Sequence, residues 1–178
     1  MSQDSYIQEP GVERYANYRP GGYHPVHLGD KFKDGRYTVV NKLGYGTYST
    51  VWLVHDEVQQ AYASLKILTA DVSKWSSGTE LDVWRHSATG EGDGKRFVLR
   101  FFESFTHRGP NGDHLCIVTE VSGPNLATDL HGIHLEDALT ATLAKLFVLQ
   151  AAKGVEYLHS CNIVHGGELF RSRTQRNA

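Results

Sequence analysis

The residues best suited to chemistry lie between Leu43 and Glu80. Gly44 and Gly46 are separated by one residue and followed by Thr47, Ser49 and Thr50. Backbone N–H groups beside such glycines can approach an anionic oxygen with no Cβ in the way. Lys66 follows inside an apolar run, Ala61-Tyr62-Ala63-Ser64-Leu65-Lys66-Ile67-Leu68. Amides on a glycine-bearing loop together with one compact positive charge make a cradle for nucleotide phosphates.

The elements that must position these groups are strands. Tyr37 to Leu43 is β-prone and runs into the glycines, and Val51 to Val54 starts a second strand directly after Ser49 and Thr50. The spacing predicts a flap of two strands joined by the Gly-x-Gly turn, then a third strand that delivers Lys66. A dinucleotide site needs a helix after its glycines, whereas here a β-branched and aromatic run follows. A Walker loop needs Gly-Lys-Ser/Thr, which does not occur near this stretch. The glycine-rich hairpin followed by a strand lysine fits the protein-kinase pattern. An ordinary hairpin with a snorkelling lysine accounts for the glycines equally well.

At 178 residues and 19.9 kDa the chain is long enough for one core, and 40% hydrophobic with 21% charged residues is an ordinary globular composition. A net charge of -2 and an isoelectric point near 6.5 give no electrostatic case for direct nucleic-acid or membrane binding. Cys116 and Cys161 lie in apolar segments and read as buried thiols in a reducing compartment. The polar, acidic start has no basic-then-apolar signal, and no apolar run is long enough to span a bilayer. An intracellular protein, of cytoplasm or nucleus, is expected.

Along the chain, Met1 to about Asn17 reads as a disordered leader. Arg19-Pro20-Gly21-Gly22 and His24-Pro25 can only be extended or turned. His24 and His27 read as surface histidines, because no further ligands follow at metal spacing. Lys33 to Arg36 is a turn. Ser73 to Thr79 is a polar opening before a helix from Glu80, with Leu81 and Trp84 at helical spacing. Gly90 to Lys95 reads as a loop. Phe97 to Phe105 and Leu115 to Val121 read as strands around the turn Gly109-Pro110-Asn111-Gly112-Asp113. From Leu135 the chain turns helical, with a broad apolar face from Leu139 to Leu158.

Three separated stretches, YRPGGYHPVHLGDKFKDGRYTVVNKLGYGTYSTVWLV from Tyr18, FFESFTHRGPNGDHLCIVTEVSGPNL from Phe101 and GVEYLHSCNIVHG from Gly154, occur in a specific order. Together they resemble the SR-protein kinase family, in its fungal branch. The resemblance implies an α+β, protein-kinase-like fold with a complete β-rich N-lobe and a partial helical C-lobe. It divides the chain into an N-terminal extension over 1–30, an N-lobe over 31–121, and a hinge with the start of a C-lobe over 122–178. It implies ATP as ligand, cradled by Leu43, Gly44, Tyr45, Gly46, Thr47 and Val51, with Ser49 where the family's third glycine stands. Lys66 would face the α- and β-phosphates and be held by Glu80, with Asp82 the competing carboxylate. Ser64 stands where kinases usually place alanine against adenine. Thr119 falls at the gatekeeper position, and Glu120, Val121 and Ser122 at the hinge. Serine- and arginine-rich proteins are the implied substrates, and magnesium is expected only in an intact relative.

The pattern departs at Ile163. A family member would show a catalytic-loop His, an Asp two residues later and an Asn five residues after that. Here Val164-His165-Gly166-Gly167-Glu168-Leu169 puts Gly167 or Glu168 at the aspartate, depending on register, and Ser172 or Arg173 at the asparagine. Glu168 is the substitute base on offer. The Asp-Phe-Gly and Ala-Pro-Glu motifs do not follow. The sequence therefore reads as a kinase truncated at the catalytic loop, as a nucleotide- or partner-binding module, or as a remnant. In each case the helix from Leu139 to Leu158 is expected to expose apolar surface and leave the chain marginally stable.

Overall fold

The computed structural model describes residues 13–76, 79–123 and 141–164. They fall into two compact units. The first takes the described residues of 1–85 and 99–134, the second those of 86–98 and 135–178.

The first unit is built on a six-stranded antiparallel sheet of order β1-β2-β3-β4-β6-β5. Its strands are β1 (Lys31–Phe32), β2 (Tyr37–Gly46), β3 (Ser49–Asp56), β4 (Ala61–Leu68), β5 (Phe101–Gly109) and β6 (Gly112–Thr119). Alternation along each strand separates two faces, and the register aligns them across the sheet. Trp52 pairs with Leu65 and Leu65 with Val118; Thr50 pairs with Ile67 and Ile67 with Cys116. This face closes over Phe32, Tyr37, Val39, Val54 and Ala63 as the main core. Full burial of a side chain such as Leu65 or Ile67 contributes about 1.5–3 kcal/mol. The opposite face carries the row Gly44, Val51, Lys66 and Ile117, and beside it Leu53, Ser64 and Thr119.

Two helices follow β4. Helix α1 (Ala70–Ser76) begins where Ala70 and Asp71 donate their amides to the carbonyls of Gly22 and Gly21, at 3.1 and 2.8 Å. Those bonds satisfy amides that have no partner within the helix. Ser73 accepts from the Leu115 amide at 2.8 Å, fastening the helix to β6. Helix α2 (Thr79–Thr89) buries Leu81 and stacks Trp84 on Phe101 at 6.2 Å.

The second unit contains a short 3₁₀ turn, Asp93–Phe97, and the long helix α3 (Ala141–Ser160). Tyr157 is buried and donates its hydroxyl to the Ser87 carbonyl at 2.6 Å. Asn162, in the left-handed region at φ 59°, ends α3; the amides of Asn162 and Ile163 return to the carbonyls of His159 and Leu158, each at 2.9 Å. Leu146, Val148, Leu149 and Val155 are exposed.

Several expectations change. Glu13 to Asn17 do not belong to a disordered leader: Glu13 is buried with its carboxylate on Lys42 and Tyr18, and Tyr15–Asn17 form a 3₁₀ turn. Ser73 to Ser76 are not part of a polar opening, because α1 spans Ala70–Ser76. Phe97 to Arg100 is not strand, since β5 begins at Phe101, and the Gly90 to Lys95 loop runs into the 3₁₀ turn. His24 is buried rather than on the surface, against His107 and His114 with ring centroids 4.7 and 5.0 Å away. Burial, then the two neighbouring rings, push its pKa down to about 4. Leu135 to Leu139 and the run from His165 through Glu168 to Ala178 lie outside the described residues.

Candidate functional site

Lys66 leaves the middle of β4, and its Nζ donates to Glu80 Oε1 at 2.6 Å. Glu80 stands in the first turn of α2, the helix that packs Trp84 against Leu68, Leu115 and Ile117 and buries Leu81. Both charged side chains are 34% exposed, open enough to meet a ligand. Asp82, the competing carboxylate, lies 3.8 Å from Arg85 and is 58% exposed.

The glycines differ from expectation in place. Both lie within β2, which runs to Gly46 with a register shift between Lys42 and Gly44, and the turn itself is Thr47 and Tyr48. Neither glycine has a positive φ, so no backbone strain calls for one. A Cβ built on Gly44 would meet nothing within 4 Å, and one on Gly46 only Ser49 Oγ at 3.7 Å. Packing does not require them either. In register, the Gly44 Cβ would project on the face that carries Val51 and Lys66. Space beside the lysine is thus kept clear by two residues for which the fold has no need.

The remaining candidates divide between the two faces. Val51 and Ser64 share the Lys66 face; Ser64 is buried, paired across the sheet with Leu53 and with buried Thr119. Tyr45 pairs with Thr50, so its side chain projects on the opposite face, beside Tyr23, and only its backbone is in place for a ligand above Lys66. Leu43 is exposed at the register shift. Beyond β6, Glu120 is pinned twice to Arg100: its amide donates to the Arg100 carbonyl at 3.0 Å, and its carboxylate accepts from the Arg100 amide at 2.8 Å. Ser122 is exposed just after it. Glu168 lies outside the described residues.

Sequence reasoning overlooked the arm that precedes the sheet. Tyr23 reaches the tip of the β2–β3 hairpin and donates to the carbonyls of Gly46 and Thr47, at 2.8 and 3.1 Å. The available signal was Gly21-Gly22: Gly21 has φ 84°, and a Cβ on Gly22 would lie 1.9 Å from the Asn17 carbonyl oxygen.

The open row beside Lys66 has the chemistry to receive an anionic group, whose oxygens would face backbone amides and one ammonium. Among the described residues, no three or more His, Cys, Asp or Glu side chains are placed to hold a metal ion.

A hairpin with a cleared glycine row, a strand lysine and a helix glutamate joined to it define a protein-kinase class of site, and the protein kinase domain model matches residues 37–166. The chain belongs to the protein kinase domain family, with its α+β fold. Among its relatives, the Saccharomyces cerevisiae serine/threonine-protein kinase SKY1 is 34% identical over 169 residues, covering 90% of this chain and 22% of the relative. Protein kinase dsk1 of Schizosaccharomyces pombe is 34% identical, covering 86% of this chain and 29% of the relative. Serine/threonine-protein kinase SRPK of Physarum polycephalum is 37% identical, covering 89% and 37%. The chain thus spans between 22 and 37% of the length of these relatives.

Proposed function

We propose that this chain binds ATP through the hairpin and Lys66, as the nucleotide-holding part of an SR-type serine/threonine protein kinase. The observation that carries the reading is the Lys66–Glu80 pair at 2.6 Å beside the unfilled row at Gly44. In this mechanism the hairpin amides receive phosphate oxygens, and Lys66 neutralises the α- and β-phosphates. Glu80 removes the freedom of the lysine side chain, so that its charge is already in place when the nucleotide arrives. The segment from Thr119 to Ser122 would meet the adenine edge with backbone groups. When bound, ATP supplies the transferable γ-phosphate, and the acceptor would be serine in a serine- and arginine-rich protein.

The acceptor side of the mechanism rests on Glu168. A glutamate in place of aspartate shifts the carboxylate by about one ångström, a displacement that can cost about a hundredfold in rate. Magnesium would be held in an intact relative by the Asp-Phe-Gly aspartate and the catalytic-loop asparagine, and Ser172 or Arg173 stands at the position of that asparagine. The lack of an aspartate in either register favours a second reading, a pseudokinase-like module that binds nucleotide or a partner without transfer.

Titration of the chain with ATP, followed by assay of phosphate transfer to an Arg-Ser repeat peptide, separates these readings. Binding that is lost in Lys66→Ala supports the ATP site. Transfer supports the kinase, and binding without transfer supports the module. Wild-type protein that does not bind ATP overturns the kinase and the nucleotide-binding module, and leaves partner binding alone as the reading.

A further inference from the structure

We propose that Tyr23 is a positioning residue for the nucleotide-phosphate hairpin, setting the direction of its tip amides from the face opposite Lys66. The inference rests on the ATP reading above and assigns part of that site to the arm before the sheet.

Tyr23 is 3% exposed, and its hydroxyl is shared between the carbonyls of Gly46 and Thr47. A trans peptide is planar, with its C=O and N–H pointing in opposite directions. Holding the Gly46 carbonyl toward the arm therefore turns the Thr47 amide away from it. Holding the Thr47 carbonyl does the same for the Tyr48 amide. One phenol thus orients two successive N–H groups at the tip where phosphate is proposed to sit.

The strut is firm at its other end. The Tyr23 carbonyl accepts from Asn111 Nδ2 at 2.6 Å, and the Gly21 amide donates to the Asn111 carbonyl at 2.8 Å. Gly21 and Gly22 also receive the first amides of α1. Tyr23 is in this way tied to the β5–β6 turn and to α1 before it reaches the hairpin.

The hairpin tip has little else behind it. A cleft of about 570 Å³ runs along the contact, lined in part by Glu13, Asn17, Tyr45 and Thr47. Tyr48 is 62% exposed, although its carbonyl accepts from the Thr69 amide at 2.9 Å. Burial raises the Tyr23 phenol pKa above its ordinary value, so the hydroxyl keeps the proton it donates.

Tyr23→Phe keeps the ring and removes the donor. Affinities for ATP and for adenosine are measured on wild type and variant, together with amide hydrogen exchange at Thr47 and Tyr48. The expected result is a loss of about threefold to tenfold in ATP affinity, the scale of one hydrogen bond. Adenosine affinity stays unchanged, and bound ATP slows exchange at the two amides less in the variant than in wild type. Unchanged ATP affinity overturns the inference, and so does an equal loss for ATP and adenosine, which marks general loosening of the fold. Wild-type protein that binds neither ligand overturns the ATP reading and this inference with it, a result visible before any substitution is made.

Discussion

Gly44→Ala should separate what the fold needs from what a ligand needs. The Gly44 backbone is in ordinary extended conformation, and the added methyl would meet no protein atom within 4 Å. Alanine reduces the freedom of the unfolded chain, so the variant should be as stable as wild type or more stable by about 0.4–1 kcal/mol. The same methyl projects on the Lys66 face. A phosphate oxygen accepting a backbone N–H sits about 2.8 Å from nitrogen. A methyl beside that path holds the oxygen back by several tenths of an ångström or more, enough to lose one charge-assisted hydrogen bond of about 1.5–3 kcal/mol. ATP affinity should therefore fall about tenfold to a hundredfold. Thermal melting and ATP titration of the same preparation read both quantities. Gly94→Ala serves as contrast, because its Cβ would lie 2.2 Å from the Lys153 carbonyl oxygen and must destabilise. A large drop in melting temperature for Gly44→Ala, or ATP binding as tight as wild type, would refute the reasoning.

Ser64→Ala should tighten ATP binding by removing a hydroxyl from a buried slot between Leu53 and Thr119; no change on titration would count against adenine lying there. His24, with its pKa pushed down to about 4 by burial and by His107 and His114 and opposed by Asp30, stays neutral in the fold while the unfolded chain protonates near 6.5. Its contribution is full above pH 6.5 and is lost as pH falls toward 4, by about 3 kcal/mol, and His24→Phe should flatten part of that slope in denaturant melts. Asp56 is held at about 2 by hydrogen bonds from Arg36, at 3.0 and 2.8 Å, and then by the amides of Gln59 and Val58, against its burial. Its stabilisation is present above pH 3.8 and lost as pH falls through 2; Asp56→Asn should cost about 2 kcal/mol at neutral pH, and an equally stable variant would contradict the assignment.

The strands were legible because Tyr37 to Leu43 and Val51 to Val54 are rich in β-branched and aromatic residues and Ala61 to Leu68 is a short apolar run, the composition of strands in a sheet. The helix at Glu80 was legible from the spacing of Leu81 and Trp84. What escaped was set by tertiary contacts. Ser73 to Ser76 is polar, and α1 forms there because Gly21 and Gly22 cap its start and Leu115 holds Ser73. No local pattern announces a partner so distant in sequence. His24 looked like a surface residue because a histidine flanked by Tyr23 and Pro25 says nothing of the two histidines that β5 and β6 bring to it. The glycine pair pointed to the right hairpin but to the wrong place in it, because no local pattern shows that β2 runs through both glycines to Gly46 and leaves the turn to Thr47 and Tyr48.

The Lys66–Glu80 pair invites a plain structural explanation, that it ties α2 to the sheet. The magnitudes argue otherwise. With each side chain 34% exposed, such a pair contributes roughly 0–1 kcal/mol. Leu81, 6% exposed, alone contributes about 1.5–3 kcal/mol by burial, and Trp84 on Phe101 adds to it. The helix would remain attached without its glutamate. An apolar side chain at position 66, in row with Val51 and Ile117, would serve packing better than an ammonium does. What the pair adds is a positive charge fixed beside a space that Gly44 leaves empty, and that combination answers the needs of an anionic ligand rather than those of a core.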